Sequence, residues 1–358
     1  MEDRLDYLSA LTAAELLAIR EPERLFSGEE SALRKEYRHL AFLWHPDRCA
    51  DGFAREVLPH INQLHRSAKE KLDSGTWETP GILSITDKSG QEYRFRFRKR
   101  RRFELGEMLI ADSYVSYLVD AGHKLFFDNA VRKIGNFVYA SDEMKQEVSR
   151  CLPILHKLFE SQDGRFVMVL KKDPDLLLLR DVLDHYTEAG LPAEWERHVA
   201  WIQSTLHNIC CYLEYAGLTH NDISPDTYFI SPTGHSGALL GGWWYSERSG
   251  IKLLGVTSRT FNLMPLDVRN EKLADPRVDL ELVRSVGREL LGDVSGMKLL
   301  STNPAPEPML VWLRHPSAGN ARNDYRLWRD EVLPDSFGPR RFVELILKSD
   351  DLYGQVEI

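Results

Sequence analysis

The densest group of chemically active side chains in the sequence is Arg94-Phe-Arg-Phe-Arg-Lys-Arg-Arg-Arg102. On an extended strand its first residues would place Phe95 and Phe97 on one face and the arginines on the other. A positive strip of this kind, ending in Arg98, Lys99, Arg100, Arg101 and Arg102, can hold the phosphates of a nucleic acid or an acidic protein surface, with steep salt dependence as its signature. It fits equally a solvated strand face whose long side chains cover the sheet. Histidine and cysteine offer less. His60 and His65 are five apart, His198 and His207 nine apart, and neither pair has a cysteine or carboxylate at ligand spacing. No metal site is expected. Cys49, Cys151, Cys210 and Cys211 form no C-x-x-C pair and read as reduced thiols, the adjacent Cys210 and Cys211 as core filling.

The elements that must carry such groups change along the chain. A helical N-terminal region gives way to period-2 runs from Ile82 to about Leu170, and helical periodicity returns beyond Asp181, with a loop-rich interlude from Gly217 to Leu266. Turn formers at Asp73-Ser-Gly-Thr-Trp-Glu-Thr-Pro-Gly81 mark a domain boundary. The chain has 358 residues, 43% hydrophobic and 28% charged, enough for two or three cores and unlike disordered, collagen or small disulfide-rich chains. Its formal charge of -8 excludes a global polycation, so any anion-binding surface must be local. No apolar run approaches the roughly 20 residues of a bilayer span. The acidic N-terminus has no apolar signal core. A cytoplasmic protein is expected.

Ser27-Gly-Glu-Glu30 has the form of a capping box, which predicts a helix from about Gly28; Thr12-Ala-Ala-Glu15 is a second such box. Leu33, Tyr37, Leu40, Ala41 and Trp44 then form one apolar stripe, with Arg34, Lys35, Arg38 and His39 on another face. His45-Pro46-Asp47 stops this helix. Phe53, Val57, Ile61, Leu64, Ala68 and Leu72 form a second stripe, and Pro59 suggests that the regular helix starts there after a preceding turn. Two amphipathic helices joined by a short loop pack antiparallel and present the loop and the basic face to solvent.

Tyr37-Arg-His-Leu-Ala-Phe-Leu-Trp-His-Pro-Asp-Arg48, followed by Phe53 and Ile61-Asn62, resembles the J-domain of the DnaJ co-chaperone family over roughly residues 1 to 75. The resemblance implies that His45, Pro46 and Asp47 dock on an ATP-loaded DnaK-class heat-shock chaperone and trigger its ATP hydrolysis, with Arg34, Lys35 and Arg38 steering the encounter. No Gly/Phe-rich linker or cysteine-rich module follows, so the remaining chain must choose the client.

Gly217-Leu-Thr-His-Asn-Asp-Ile-Ser-Pro-Asp-Thr-Tyr-Phe-Ile230 is similar to a protein-kinase catalytic loop and keeps His220, Asp222, Ile223 and Pro225. Phe166 to Leu170 resembles the hinge-side strand, Leu176 to Leu183 the start of the helix after the hinge, and Val278 to Gly287 the central helix whose Asp279 would brace the loop. The likeness further implies that Ala130-Val-Arg-Lys-Ile134 is the strand bearing the phosphate-binding lysine, Lys133, with Glu147 as its helix partner. The magnesium ligands are missing. The loop asparagine is Thr227, the D-F-G region reads Leu239-Leu-Gly-Gly-Trp-Trp-Tyr245, and no aspartate lies between Thr227 and Leu266. Ser224 replaces the lysine near the catalytic aspartate, and Leu105-Gly-Glu-Met-Leu-Ile-Ala111 keeps one glycine of a phosphate loop. Efficient kinase chemistry is not expected, since each lost metal contact removes on the order of a hundredfold in rate. Trp243 and Trp244 are candidates to fill the emptied cleft, or ordinary packing.

The sequence thus reads as an α+β chain: an all-α J-domain hairpin at 1–75, a linker at 76–81, and a bilobal kinase-like fold with a β-rich N-lobe at 82–172 and a helical C-lobe at 173–358. The expected function is a co-chaperone that recruits a DnaK-class chaperone to an unknown protein client held by a catalytically impaired kinase-like domain, with no required cofactor and no membrane. One alternative is a noncanonical kinase or nucleotide transferase using ATP, with Asp222 as general base and Lys133 on a phosphate. In the bland reading Asp222 is a hydrogen-bonded loop anchor and Lys133 an internal ion pair. The second alternative is nucleic-acid binding through Arg94 to Arg102.

Overall fold

The computed structural model describes residues 2–49, 51–74, 77, 81–317 and 319–354. The expected linker at 76–81 falls largely outside them. The chain divides into two compact units, one of residues 1–85 with 92–97 and the other of 86–91 with 98–358.

The first unit begins with five helices, α1 (Glu2–Ala10), α2 (Ala13–Ala18), α3 (Pro22–Leu25), α4 (Glu30–Leu43) and α5 (Ala54–Asp73). They are followed by a two-stranded sheet of β1 (Ile82–Thr86) and β2 (Glu92–Arg96). Leu33 and Leu40 of α4 meet Val57, Ile61 and Ala68 of α5 in a core shared with Leu8, Leu16 and Leu25. The Thr12 capping box forms: Thr12 Oγ1 accepts the Glu15 N–H at 3.3 Å and Glu15 accepts the Thr12 N–H at 2.7 Å. The Ser27 box does not. Ser27 gives its N–H (2.7 Å) and its hydroxyl to Glu36, and α4 starts two residues later than expected, at Glu30. Glu36 is a buried carboxylate, and satisfying it with charge-assisted donors outweighs an exposed cap.

Two further expectations for α5 fail. The helix runs through Pro59 from Ala54, so no separate turn precedes it. Pro59 forfeits one N–H bond and sits on the exposed side, where water can take the carbonyl freed a turn earlier. Phe53 lies before the helix, is 55% exposed, and does not join the apolar stripe.

In the second unit β3 (Lys99–Phe103), β4 (Gly106–Ile110) and β5 (Tyr114–Val119) lead into helices α6 (Lys124–Ile134) and α7 (Asp142–Ser149), then β6 (Ile154–Glu160) and β7 (Phe166–Lys171). These strands make one antiparallel sheet in the order β3-β4-β5-β7-β6. The stretch 130–134 is therefore helix and not strand. Phe127, Ala130 and Ile134 recur at spacings of three and four and bury one face of α6, the periodicity that a five-residue window conceals.

Beyond the sheet come β8 (Leu177–Leu178), α8 (Leu179–Ala189) and α9 (Trp195–Tyr215), then four short strands, β9 (Leu218–Thr219), β10 (Tyr228–Ser231), β11 (Ser236–Leu239) and β12 (Glu247–Arg248). Helices α10 (Ser258–Leu263), α11 (Leu266–Glu271), α12 (Pro276–Leu290), α13 (Leu299–Thr302), α14 (Glu307–Arg314), α15 (Ala321–Leu327), α16 (Leu333–Phe337) and α17 (Ser349–Tyr353) complete the unit. It is a mixed α+β body with a sheet lobe and a helical lobe. The buried α9 and α12 pack together at the centre of the helical lobe, and Asp275 caps α12 by accepting the Arg277 N–H at 2.8 Å. That cap fixes where Asp279 enters the loop between β9 and β10.

Candidate functional site

Asp279 reaches that loop with both carboxylate oxygens, accepting the backbone N–H of His220 and that of Asn221 at 2.7 Å each. Burial pushes the Asp279 carboxyl up to about 7, against the pull of those two donors. Asn221 holds a left-handed φ of 64°, and its amide donates to Thr219 Oγ1 at 2.8 Å and to the Tyr245 carbonyl at 3.0 Å. His220 Nε2–H donates to the Gly241 carbonyl at 2.9 Å while Nδ1 accepts the Asp222 N–H at 3.3 Å. Its burial lowers its pKa to about 3, so the ring is neutral and serves as a two-ended brace. Thr227 closes the turn on itself, its hydroxyl donating to the Asp222 carbonyl at 2.7 Å and accepting the Ser224 N–H at 3.0 Å.

Asp222 is 9% exposed. Burial first, then the nearby Glu104 and Asp226 carboxyls, push its own carboxyl well above the ordinary range. Across from it stands Gly242, at a φ of 79°, where a Cβ would lie 2.6 Å from the His220 ring and 2.9 Å from Asp222 Oδ2. Only glycine fits that approach.

Aromatic rings fill the space between this loop and the sheet. Trp244 packs against Tyr117 of β5 (centroids 5.1 Å) and Phe103 of β3 (5.6 Å), and those two rings are 5.7 Å apart. Trp243 turns away, packing on His220 and Phe137 with Nε1–H donating to the Leu239 carbonyl at 2.8 Å. The Tyr117 hydroxyl is buried with no hydrogen-bond partner, and a Cβ on Gly241 would come within 2.8 Å of it. At the β3–β4 turn, just before the Leu105 to Ala111 stretch expected to hold a phosphate loop, Glu104 accepts the Tyr245 hydroxyl at 2.9 Å. A carboxylate there repels a phosphate.

Lys133 does not face this space. It lies on α6 and its ammonium pairs with Glu247 of β12, while Glu147 is 76% exposed on α7 beside Arg150. The third strand of the sheet lobe, Tyr114-Val-Ser-Tyr-Leu-Val119, contains no lysine. Asn129, one turn before Lys133, donates its amide to the Trp244 carbonyl at 3.1 Å and the Ser246 carbonyl at 2.8 Å, clamping α6 onto the turn that carries the tryptophans.

The arginine strip is divided between β2 and β3, and most of its outer half is spent on carboxylates. Arg98 binds Asp112 and Asp350, Arg100 binds Glu107, and Arg101 binds Asp181 and Asp184 of α8. Arg102, 89% exposed, lies 3.6 Å from Glu107. Asp181 also accepts the Tyr353 hydroxyl at 3.0 Å, so β3, α8 and α17 meet at one buried carboxylate. Within the run, these ion pairs engage Arg98, Arg100 and Arg101.

In the first unit His45, Pro46 and Asp47 sit together at the exposed turn after α4, with His45 and Asp47 side chains 49% and 88% exposed. The Asp47 N–H donates to His45 Nδ1 at 3.2 Å. Arg34, Lys35 and Arg38 are exposed on α4, Arg34 paired with Glu30.

Sequence reasoning missed Tyr117, Glu104, Asn129 and Glu247. The absence of lysine from the third strand was a readable signal; the pairings of Asn129 and Glu247 span more than a hundred residues and left none.

No family model matches the chain, and no curated protein matches it. Among solved structures, vaccinia related kinase 3 is similar to it with a TM-score of 0.49 and 15% sequence identity, over 73% of this chain and 93% of that chain. Among the described residues no helix is long and apolar enough to cross a membrane, and no group of His, Cys, Asp and Glu could hold a metal ion.

Proposed function

We propose that this chain is a J-domain co-chaperone whose larger unit is a kinase-like fold adapted to binding. The observation that carries the first half is the exposed His45-Pro46-Asp47 turn between two helices with Arg34, Lys35 and Arg38 outward on α4. An exposed imidazole, a rigid proline and an exposed carboxylate are available for contact with another macromolecule. The basic residues raise the encounter rate with an acidic ATP-loaded DnaK-class chaperone. Holding a client on the larger unit raises the local concentration of the chaperone there.

The second half rests on the braced loop at 220–227 and on what surrounds it. A kinase-like reading accounts for Asp279 on a buried central helix holding the loop backbone. Phosphoryl transfer does not follow. Thr227 is closed on its own turn, the third strand has no lysine, and Trp244, Tyr117 and Phe103 pack together beside the loop. With Lys133 held by Glu247, the nucleotide-transferase alternative lacks its phosphate anchor.

The test is the single-turnover ATPase rate of a purified DnaK-class chaperone with this protein and with its His45→Gln and Arg38→Glu variants. Stimulation by the wild type, lost with His45→Gln and weakened at low salt with Arg38→Glu, supports the reading. A wild-type protein that leaves the rate unchanged removes it.

A further inference from the structure

The helical lobe contains a cavity of ≈ 310 Å³ whose lining includes none of the residues around Asp222. Its floor is the outer face of α9 at Ala200, Ser204 and Asn208, and its rim includes the chain at 338–341. The volume lies at the small end of the range for ligand pockets, which are mostly apolar with a few placed polar groups.

His235 supplies one such group. It sits in the turn between β10 and β11 in a left-handed conformation, φ 44°, rare for a residue other than glycine. Its ring is sandwiched between Trp201 (4.7 Å, 8°) and Phe342 (4.3 Å, 19°), which fixes its plane. Nε2 is buried and has no hydrogen-bond partner. Burial lowers the pKa of the ring, against a hydrogen bond to the Val343 backbone, so the imidazole is neutral; with the Val343 bond made by the other nitrogen, Nε2 is a waiting acceptor. A fixed, buried, unfilled acceptor beside a cavity calls for a donor from a ligand.

Charge supplies the other half. Arg197, Arg340 and Arg341 line the same cavity, and Glu194 is the carboxylate that meets them, pairing with both Arg197 and Arg341. Three guanidinium groups against one carboxylate leave the rim positive, the complement of an anion. Trp201, Tyr325 and Phe337 add aromatic rings to the lining.

We infer that this cavity binds a small planar aromatic anion, which places an N–H or O–H donor on His235 Nε2 and its negative group among Arg197, Arg340 and Arg341. The inference is independent of the co-chaperone reading, since no residue of the first unit enters it.

The full-length protein can be titrated with 1-anilinonaphthalene-8-sulfonate, a planar anion with one N–H, and in parallel with naphthalene-1-sulfonate, which has none, following probe fluorescence and its excitation by tryptophan. One saturable site with preference for the anilino probe is expected. Arg340→Glu should weaken binding about tenfold by reversing a rim charge. Asn208→Trp should abolish it by filling the cavity from an exposed position, and His235→Phe should keep the ring stack and erase the preference between probes. Each variant is checked for an unchanged melting temperature, and Arg340→Glu keeps the test open if another fails to fold. Unsaturable binding, binding indifferent to both Arg340→Glu and Asn208→Trp, or equal binding of the two probes by the wild type overturns the proposal.

Discussion

The ammonium of Lys133 is paired with the carboxylate of Glu247, tying α6 to the strand that follows the paired tryptophans. Burial pushes the Glu247 carboxyl up, and the hydrogen bond from Lys133 together with the Arg248 N–H more than reverses this, leaving it below the usual range. The side chains are 9% and 15% exposed, so removing one partner strands a charge. Lys133→Met should cost about 3 kcal/mol in urea unfolding, and a Lys133→Met, Glu247→Leu double variant should recover most of it. The contribution of Glu247 is present above the unfolded carboxylate range and disappears as pH falls through the lower folded value. If Lys133→Met leaves stability untouched, the pair is not what joins these elements.

Asp222→Asn should stabilise the fold. Burial raises the folded carboxyl above the unfolded one, which ionises from about pH 4 upward, so the wild type loses stability relative to the variant as pH rises through that range. The gap should widen by at most about 1.4 kcal/mol per pH unit, the value for one proton. Parallel denaturation curves at pH 5 and pH 7 measure it. A variant less stable at both values would mean that the carboxylate is ionised and needed.

Pro59→Ala should raise the stability of the first unit. The proline interrupts the bonding of α5 on an exposed face, and a proline in a helix interior costs about 3 kcal/mol relative to alanine. Because Pro59 lies just over one turn from the start, a gain of about 1–2 kcal/mol is expected by chemical denaturation of the whole chain. No gain would indicate that the first turn of α5 is not helical in solution.

Nucleic-acid affinity should be slight. Arg98, Arg100 and Arg101 are engaged by Asp112, Asp350, Glu107, Asp181 and Asp184, so neutralising Arg98 and Arg101 should change the salt slope of oligonucleotide binding by less than one phosphate contact. Arg101→Gln should instead lower stability by about 1–3 kcal/mol, because Asp181 is left buried beside Tyr353 alone. A slope several contacts shallower in the variants would restore the phosphate-binding reading.

Magnesium-ATP should leave the melting temperature unchanged, since a ligand bound well below its dissociation constant adds no stability. A clear magnesium-dependent rise would show that the cleft opens past Trp244 and Tyr117.

Much of the site could be read in the linear chain wherever its parts are neighbours. The order of helix, His45-Pro46-Asp47 and helix follows from apolar spacing and one proline. That Thr227 stands where the kinase-like loop pattern has asparagine, and that no aspartate lies between Thr227 and Leu266, is read directly from the chain. Asp279 was expected at the loop backbone, where it is found. Local patterns misled where a longer-range partner competed: Ser27 abandoned its cap for the buried Glu36, and five residues around Lys133 resembled a strand inside an eleven-residue helix.

Residue chemistry and short-range spacing were therefore enough to say which groups this protein has and which it lacks. Who meets whom was decided by sheet register and helix packing. Lys133 with Glu247, Trp244 against Tyr117, and Arg101 with Asp181 all join residues eighty or more positions apart. Periodicity extends over a few turns of chain and carries no information about such meetings; they are selected by burial, which drives each unpaired charge or ring to the partner the folded backbone brings within reach.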